Sequence, residues 1–392
     1  MKKRFSIRYK LILIFGLLIA LASLVEGLLA VRTARKAVTE KVEAHLIDKA
    51  SDVAEIIDGH VTAFWQFLEG IARLPLFSDT SISNAEKIKL LQKEASFNSD
   101  IFELDFSELD GTVHSIDGDA HIGDREWFQA ARSGKPFISE PLISRTTQKL
   151  IQVIAVPIYD NNHQIIGVLS ADINGLWLSE QIKDIVVGQT GDCSIFGQTG
   201  TFIADRDRTL VEKQVNMHEE AKKDAAFRSV AAFIDTAVKS DQSAVGFYEY
   251  KNVKKIGSYA TIKTTDWTVI IAAPINEFLG TVNALRTSLL TIGAVILIVA
   301  LITVYLVARK IVQPIQTTVD ALQGIAQGDG DLTVRLPVTG NDEITDLSEY
   351  FNQTIAKIGS AIKSVDDNSG VMQSIGDELS SNMTETASAL NE

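Results

Sequence analysis

Apolar and polar positions divide this chain into stretches of three kinds: unbroken apolar runs, stretches of helical period and stretches of period two. Residues 11–31 are almost purely aliphatic, with Glu26 as the one charge, and residues 288–308 carry no charge at all. Each run is long enough to cross a hydrocarbon core, which takes about 20 apolar residues in a helix. The second run is closed by Arg309 and Lys310, and a water-soluble core helix of that length without a single charge is disfavoured. Lys2, Lys3, Arg4, Arg8 and Lys10 precede the first run and favour an N-terminus on the cytoplasmic side, although Arg32, Arg35 and Lys36 follow it. A cleaved secretory signal ending near Ala20-Leu21-Ala22 is the other reading. Continued hydrophobicity through Leu24, Val25, Leu28 and Leu29 favours a retained span. On either reading residues 32–287 are exported and the chain after 309 is cytoplasmic.

Between the runs the period changes twice. From residue 33 to 74, Val38, Val42, Leu46, Ala50, Val53, Ile57, Phe64, Phe67 and Ile71 recur at helical spacing, and Pro75 is the first interruption. This predicts one long stalk helix. Phe102, Leu104 and Phe106 then alternate with polar residues ahead of the tight-turn pair Asp110-Gly111. Residues 150–158 and 164–173 read as strands joined by the turn Asp160-Asn161-Asn162. A second strand cluster lies at 194–203, 244–251, 254–261 and 268–273, with helices at 177–186 and 219–239. The pattern predicts two successive antiparallel α+β modules on one stalk helix.

After the second run the helical period returns. Pro314 suits the first turn of a helix restarting beyond the membrane. Ile315, Val319, Leu322 and Ala326 form its stripe, which Gly328-Asp329-Gly330-Asp331 breaks. An extended segment with Leu332 and Leu336 leads to a second helix opened by Asn341-Asp342-Glu343, with the stripe Ile344, Leu347, Phe351, Ile355 and Ile358. Two such short helices cannot bury their stripes alone, and a dimeric four-helix bundle is the economical solution. A heptad continues through Ile362, Val365, Ser369, Met372, Gly376, Leu379, Met383, Thr386 and Leu390.

Composition narrows the possible chemistry. A net charge of −13 argues against a nucleic-acid partner, which needs clustered Lys and Arg. The single cysteine, Cys193, excludes a disulfide framework and a multi-cysteine zinc site. The six histidines (45, 60, 114, 121, 163 and 218) show no ligand spacing, so no metal and no cofactor are expected. There is no phosphate-binding loop, no nucleophile elbow and no phosphoacceptor-histidine helix, so the chain does not read as an enzyme.

Several strings carry a family resemblance. Gly123-Asp124-Arg125-Glu126-Trp127-Phe128, Ser139-Glu140-Pro141, residues 151–157 and Gly167-Val168-Leu169-Ser170-Ala171-Asp172-Ile173 resemble the membrane-distal half of a double Cache domain. Gly188-Gln189-Thr190-Gly191 and Thr265-Asp266-Trp267-Thr268 resemble landmarks of its membrane-proximal half. The resemblance implies a small-molecule site in the distal module. Arg125, Trp127, Phe128 and Asp172 match the Arg-x-Trp-aromatic string and later aspartate of the amino-acid-binding subset, and Ser144 falls at a further site position. The subset's tyrosine is replaced by Phe128; Leu142 and Ser144 stand where it has a tyrosine and an acid, and Ala120-His121 where another tyrosine is expected. These departures weaken the ammonium half of the implied site more than the carboxylate half, pointing to a small carboxylate-bearing ligand, an amino acid among the candidates. Chemically, Arg125 offers a planar fork suited to a carboxylate, Trp127 an indole N–H with an apolar wall, and Asp172 an acceptor. Bland alternatives stand beside these roles: Arg125 in an ion pair with Asp124, Trp127 as core, Asp172 as a structural cap. Arg145 and Lys149 read as solvated surface charges.

Residues 309–361 resemble a HAMP domain through Pro314, the connector leucines Leu332 and Leu336, and Asp342-Glu343. Pro314, Leu332, Leu336 and Glu343 are the implied relay positions. Together the resemblances point to a bacterial methyl-accepting chemotaxis protein without its signalling tip. The implied fold is an α+β double Cache domain, two PAS-like antiparallel-sheet modules on a long stalk helix, plus transmembrane helices and an all-α HAMP and coiled-coil region. The expected order is a cytoplasmic N-terminus (1–10), a span (11–31), an extracytoplasmic sensor (32–287), a span (288–308), HAMP (309–361) and the start of a signalling coiled coil (362–392). The expected setting is the inner membrane, crossed more than once, with a homodimer through HAMP and coiled coil. Glu385 and Glu392 are methylation candidates in name only. The chain reads as a fragment, or as a protein unable to signal by the usual route alone, so chemotaxis kinase and adaptor partners are expected only if a longer cytoplasmic domain exists. The competing reading is the sensor half of a histidine kinase or cyclic-dinucleotide enzyme whose catalytic domain lies beyond residue 392. A binding-only remnant is the third.

Overall fold

The computed structural model describes residues 6–389 except 80, 146, 328 and 329, with backbone alone at 387–389. Lys2, Lys3, Arg4, Gly328-Asp329, Leu390 and Glu392 lie outside the described residues. The chain divides into two compact units: Val31–Leu285, and the segments on either side of it.

Helix α1 (Ile7–Ala72) is continuous over 66 residues. In the unit Val31–Leu285 it buries Leu46, Ala50, Val53, Ile57, Val61, Phe64, Leu68 and Ile71, a stripe of three- and four-residue steps. Phe67, expected on that stripe, is exposed, and Leu68 takes its place. The helix stops short of Pro75, and Leu74 before it is extended, as the ring requires of its predecessor.

The first module contains α2 (Asn84–Ala95), β1 (Ile101–Ser107), β2 (Thr112–His114), β3 (Ala120–His121), α3 (Glu126–Arg132), β4 (Phe137–Ile138), β5 (Leu142–Ile143), β6 (Leu150–Tyr159) and β7 (Ile165–Asn174). Its sheet runs β3-β2-β1-β7-β6-β4, with β5 also paired to β6. The second module contains α4 (Trp177–Ile182), β8 (Asp192–Phe196), β9 (Phe202–Asp205), α5 (Arg208–Glu212), α6 (Met217–Lys223), α7 (Arg228–Val238), β10 (Ala244–Tyr250), β11 (Val253–Thr261), β12 (Thr268–Pro274) and α8 (Ile275–Phe278). Its sheet runs β10-β11-β12-β8-β9. The expected strand stretch 194–203 is two strands around a turn in which Gly200 has φ +80°. The expected helix 219–239 is split at Asp224, which is extended and caps the following turn through its side chain.

One face of each sheet packs on α1. Leu104, Phe106, Leu169 and Ile173 from the first, and Ile195, Ile256, Val269 and Ile271 from the second, share one core with the α1 stripe. The opposite faces have cores of their own: Trp127, Phe128, Ala131, Val153 and Val168 in the first module, and Phe196, Phe202, Phe233, Ile234 and Ile270 in the second. Strands covered on both sides need not alternate between buried apolar and exposed polar positions. This explains why β1 buries Glu103, Asp105 and Ser107, whereas Phe102 is exposed.

In the other unit, α9 (Gly280–Gln327) runs straight through Pro314. The expected restart at that proline is corrected to an uninterrupted helix. Proline removes one amide donor from the ladder, and the helix continues for more than a turn on both sides of it. Leu13, Leu17, Leu21, Leu24 and Leu28 on α1, and Leu290, Val295, Ile298 and Ile302 on α9, are exposed. Both helices are long and apolar enough to cross a membrane. Gly16 lets them approach, since a Cβ there would meet Leu301 at 2.9 Å, and Arg8 lies over the Tyr305 ring at 4.0 Å. Helix α10 (Glu343–Ala389) follows the connector, in which Leu336 is buried against Phe351 and Ile355, with Leu332, Ala321 and Ile325 around them.

Candidate ligand-binding site

In the first module a cavity of about 60 Å³ lies against the sheet face turned away from α1. Arg125, Trp127, Ser144 and Asp172 line it, joined by Asp105 and Arg145. Phe128 does not line it. That ring is fully buried in the core behind, 6.4 Å from Trp127 in edge contact.

Local structure sets each of these groups. The hairpin turn at Gly111 (φ +92°) presses against Gly123, where a Cβ on Gly111 would come within 2.7 Å of backbone. The chain then turns through an Arg125 N–H bond to Ile122 O, so Arg125 becomes the residue before the first turn of α3 and Trp127 enters the core on it. The β5–β6 hairpin sets Ser144, whose amide donates to Lys149 O at 2.9 Å. Asp172 lies opposite Glu103 of β1 and Val153 of β6, and Asp105 opposite Ser170.

Polar groups crowd this cavity. The Asp105 carboxylate is buried, and its Oδ1 has no hydrogen-bond partner among the described residues; neither has the buried Trp127 indole N–H. Burial, with Glu103 and Asp172 as like-charged neighbours, pushes Asp105 up to about 10. Burial and Glu103 push Asp172 to about 7 against the pull of Arg125. Arg125 forms no side-chain hydrogen bond or ion pair among the described residues. Arg145, expected as a surface charge, is half-exposed yet reaches the cavity, and its guanidinium grips Asp124 through two bonds of 2.9 and 2.6 Å. The Asp124 carboxylate is therefore paired with Arg145 rather than Arg125, and is held down to about 2. Sequence reasoning missed Asp105 and Glu103. The signal was present as acids at alternate positions of an otherwise apolar strand.

The expected relay positions lie in the other unit. Leu336 is buried and Leu332 half-buried. Asn352 of α10 holds Leu336 by both amide atoms, accepting from its N–H and donating to its carbonyl at 2.8 Å each. Pro314 is inside α9, and Glu343 is exposed at the start of α10.

Two antiparallel modules share the core of one long helix, and a cavity lies against the first sheet under a helix roof. The Cache domain family matches residues 30–282, and the HAMP domain family matches 306–360. The chain belongs to the Cache domain family. It is similar to methyl-accepting chemotaxis proteins: PscA of Pseudomonas syringae pv. tomato (27% identity, covering 68% of this chain and 42% of that one) and TlpQ of Pseudomonas aeruginosa (30%, 66% and 37%). PctB of Pseudomonas aeruginosa is 23% identical, covering 84% of this chain and 51% of its own. The chain thus spans about half or less of the length of these relatives. The ligand-binding domain of Pseudomonas fluorescens chemoreceptor CtaA, solved with L-isoleucine, shares the fold at a TM-score of 0.51 and 17% identity, covering 64% of this chain and 99% of that one.

Proposed function

We propose that this chain is the sensing and relaying part of a transmembrane chemoreceptor whose first module binds a small zwitterion, an ammonium group with a carboxylate, of the amino-acid kind. The observation that carries the reading is one cavity lined by an unpaired guanidinium, Arg125, and by two raised carboxyls, Asp172 and Asp105. Arg125 takes the ligand carboxylate through its planar fork. Asp172 takes the ammonium, and Asp105 from the neighbouring strand makes up for the acid missing at Ser144. The Trp127 N–H supplies a further donor, Ser144 a hydroxyl on the rim, and Phe128 backs the wall. The ligand-bound state of CtaA supports an amino acid in this fold.

The chain senses rather than catalyses. The sensor lies outside the inner membrane, two spans cross it, and two chains pair through HAMP and α10. Ligand binding shifts the equilibrium between two packings of the HAMP bundle, with Pro314, Leu332, Leu336 and Glu343 at the points that repack. Kinase and adaptor contacts belong to whatever cytoplasmic segment carries the signal onward. The test is calorimetry on the full chain in lipid nanodiscs with the standard amino acids, their decarboxylated amines and their deaminated acids. Saturable binding of an amino acid, weakened by both Arg125→Ala and Asp172→Asn, supports the proposal. Binding of none of the three sets, or binding indifferent to both substitutions, overturns it.

A further inference from the structure

The second module repeats the arrangement around the first cavity. Strand for strand, β8 and β12 hold the central places that β1 and β7 hold in the first sheet, with β9 in the place of β2 and β11 in that of β6. In both modules the face turned from α1 is roofed by helices, by α3 in the first and by α5, α6 and α7 in the second. A cavity lies under each roof: about 60 Å³ in the first and about 190 Å³ in the second.

The lining of the larger cavity selects a chemistry. Asp205, at the end of β9, is buried; its Oδ2 accepts from the Ser194 hydroxyl at 2.6 Å and its Oδ1 from the Asp207 amide at 2.7 Å. No basic side chain pairs with it among the described residues. Lys255 on the same lining is engaged by Asp192, at 3.3 Å. Burial pushes the Asp205 carboxyl up to about 6, so a cation arriving beside it would restore the charge. The rest of the wall is aromatic and aliphatic apart from Asp207 and Lys251, whose ammonium lies over the Tyr250 ring at 5.0 Å. Phe233 stacks on Tyr248 at 4.6 Å, Phe196 meets Phe202 at 4.4 Å, and Ile234 is fully buried beside them. Gly246 and Gly257 leave room for the Phe233 ring, since a Cβ at either would come within 2.9 or 3.1 Å of it. A buried carboxylate without a basic partner, with Asp192 and Asp207 beside it and π-faces around it, suits a cationic nitrogen on an apolar body.

We infer that the second module is a separate binding site for a small organic cation, an amine carried on an aromatic or aliphatic body, held by Asp205 and by the wall of Phe233 and Tyr248. This site is independent of the zwitterion site, and two sites on one stalk helix let the receptor read two compounds against each other.

The experiment uses the full chain in nanodiscs with Asp172→Asn in every sample, so that the first module is disabled. Phenethylamine, tyramine and the uncharged phenethyl alcohol are titrated by calorimetry. We expect saturable binding of at least one amine, with the alcohol at least about tenfold weaker, the scale of one lost charge-assisted hydrogen bond. Adding Asp205→Asn should weaken the amine by a similar factor, and Ile234→Trp, which fills the cavity, should abolish binding. The proposal fails if neither amine binds, or if amine binding is the same with and without both added substitutions.

Discussion

Glu103 on β1 stands directly opposite Asp172 on β7, two carboxylates in cross-strand register on the roofed face of one sheet. Like charges so placed are destabilising, and Asp105, two residues along β1 on the same face, adds a third. The module limits the repulsion by keeping protons: Asp105 is raised to about 10 and Asp172 to about 7. A carboxyl whose folded pKa lies above its unfolded value of about 4 binds a proton in the folded chain that the unfolded chain has already released. Stability therefore falls as pH rises from about 4 toward the folded values.

The Asp105→Asn variant removes that liability while keeping the shape. Its thermal midpoint should exceed that of the unsubstituted chain at pH 8, by an amount on the order of 1–3 kcal/mol in stability. The gap should close toward pH 5. Scanning fluorimetry of both proteins from pH 5 to 9 measures this, and parallel curves would refute the assignment of a protonated Asp105.

Ligand binding should release protons. An ammonium beside Asp172 and Asp105 favours their ionised forms, so affinity for an amine-bearing ligand rises with pH between about 5 and 8, by at most about tenfold per pH unit for each proton released. Calorimetry in two buffers of different ionisation enthalpy reads the proton count directly. Identical heats in both buffers would show that the acids do not touch the ligand's nitrogen.

The grip of Arg145 on Asp124 ties the β5–β6 hairpin to the turn that carries Arg125. Both partners are half-exposed or more, so Arg145→Gln should change stability by no more than about 1 kcal/mol. Its effect should fall on ligand release, with the dissociation rate rising severalfold in stopped-flow measurements and the association rate nearly unchanged. A larger loss of stability than of retention would reverse that assignment.

The molecule was partly legible from its sequence, and the limits have physical causes. The two apolar runs and the strands at 150–158 and 164–173 could be read because period encodes them, whereas the grouping of Arg125, Trp127, Ser144 and Asp172 came from the family resemblance of their local strings. Asp105 could not, because period-two reasoning sends alternate polar residues to water, and only the tertiary roof over β1 turns them inward. Phe128 sits in the same string as Arg125, but one step along a helix turns its side chain by about 100°, into the core. Pro314 misled because a proline inside a long helix costs one donor and not the helix.

The stripes of α10 and of α9 beyond Arg309 are only half used within one chain. Phe351 and Ile355 are buried with Leu336, whereas Val319, Leu322, Leu347 and Ile358 are exposed, and so are Ile362, Val365, Leu379 and Met383 farther along α10. A second copy of the chain, supplying the same stripes, would cover them. Sedimentation in detergent should give a dimer, and the double variant Leu347→Asp with Ile358→Asp should shift it to monomer without loss of helix signal. A wild-type monomer at micromolar concentration would remove the dimeric bundle from the mechanism.

Asn352 fixes the connector by binding both backbone atoms of Leu336, its Oδ1 accepting the amide and its Nδ2 donating to the carbonyl at 2.8 Å. This double bond to one residue sets where Leu336 enters the bundle, so the connector can move only by leaving Asn352 or by carrying α10 with it. Asn352→Ala loses both bonds and leaves a half-buried carbonyl without its partner, a local cost of about 1–3 kcal/mol. Hydrogen exchange at the Leu336 amide should then speed up by roughly one to two powers of ten, while exchange in the sensor unit stays as it was. Asn352→Asp keeps the acceptor for the amide but turns an anion toward the carbonyl, and should fall between the two. If exchange at Leu336 is equally slow in all three proteins, the connector is held by the burial of Leu336 against Phe351 and Ile355 alone, and Asn352 does not fix it.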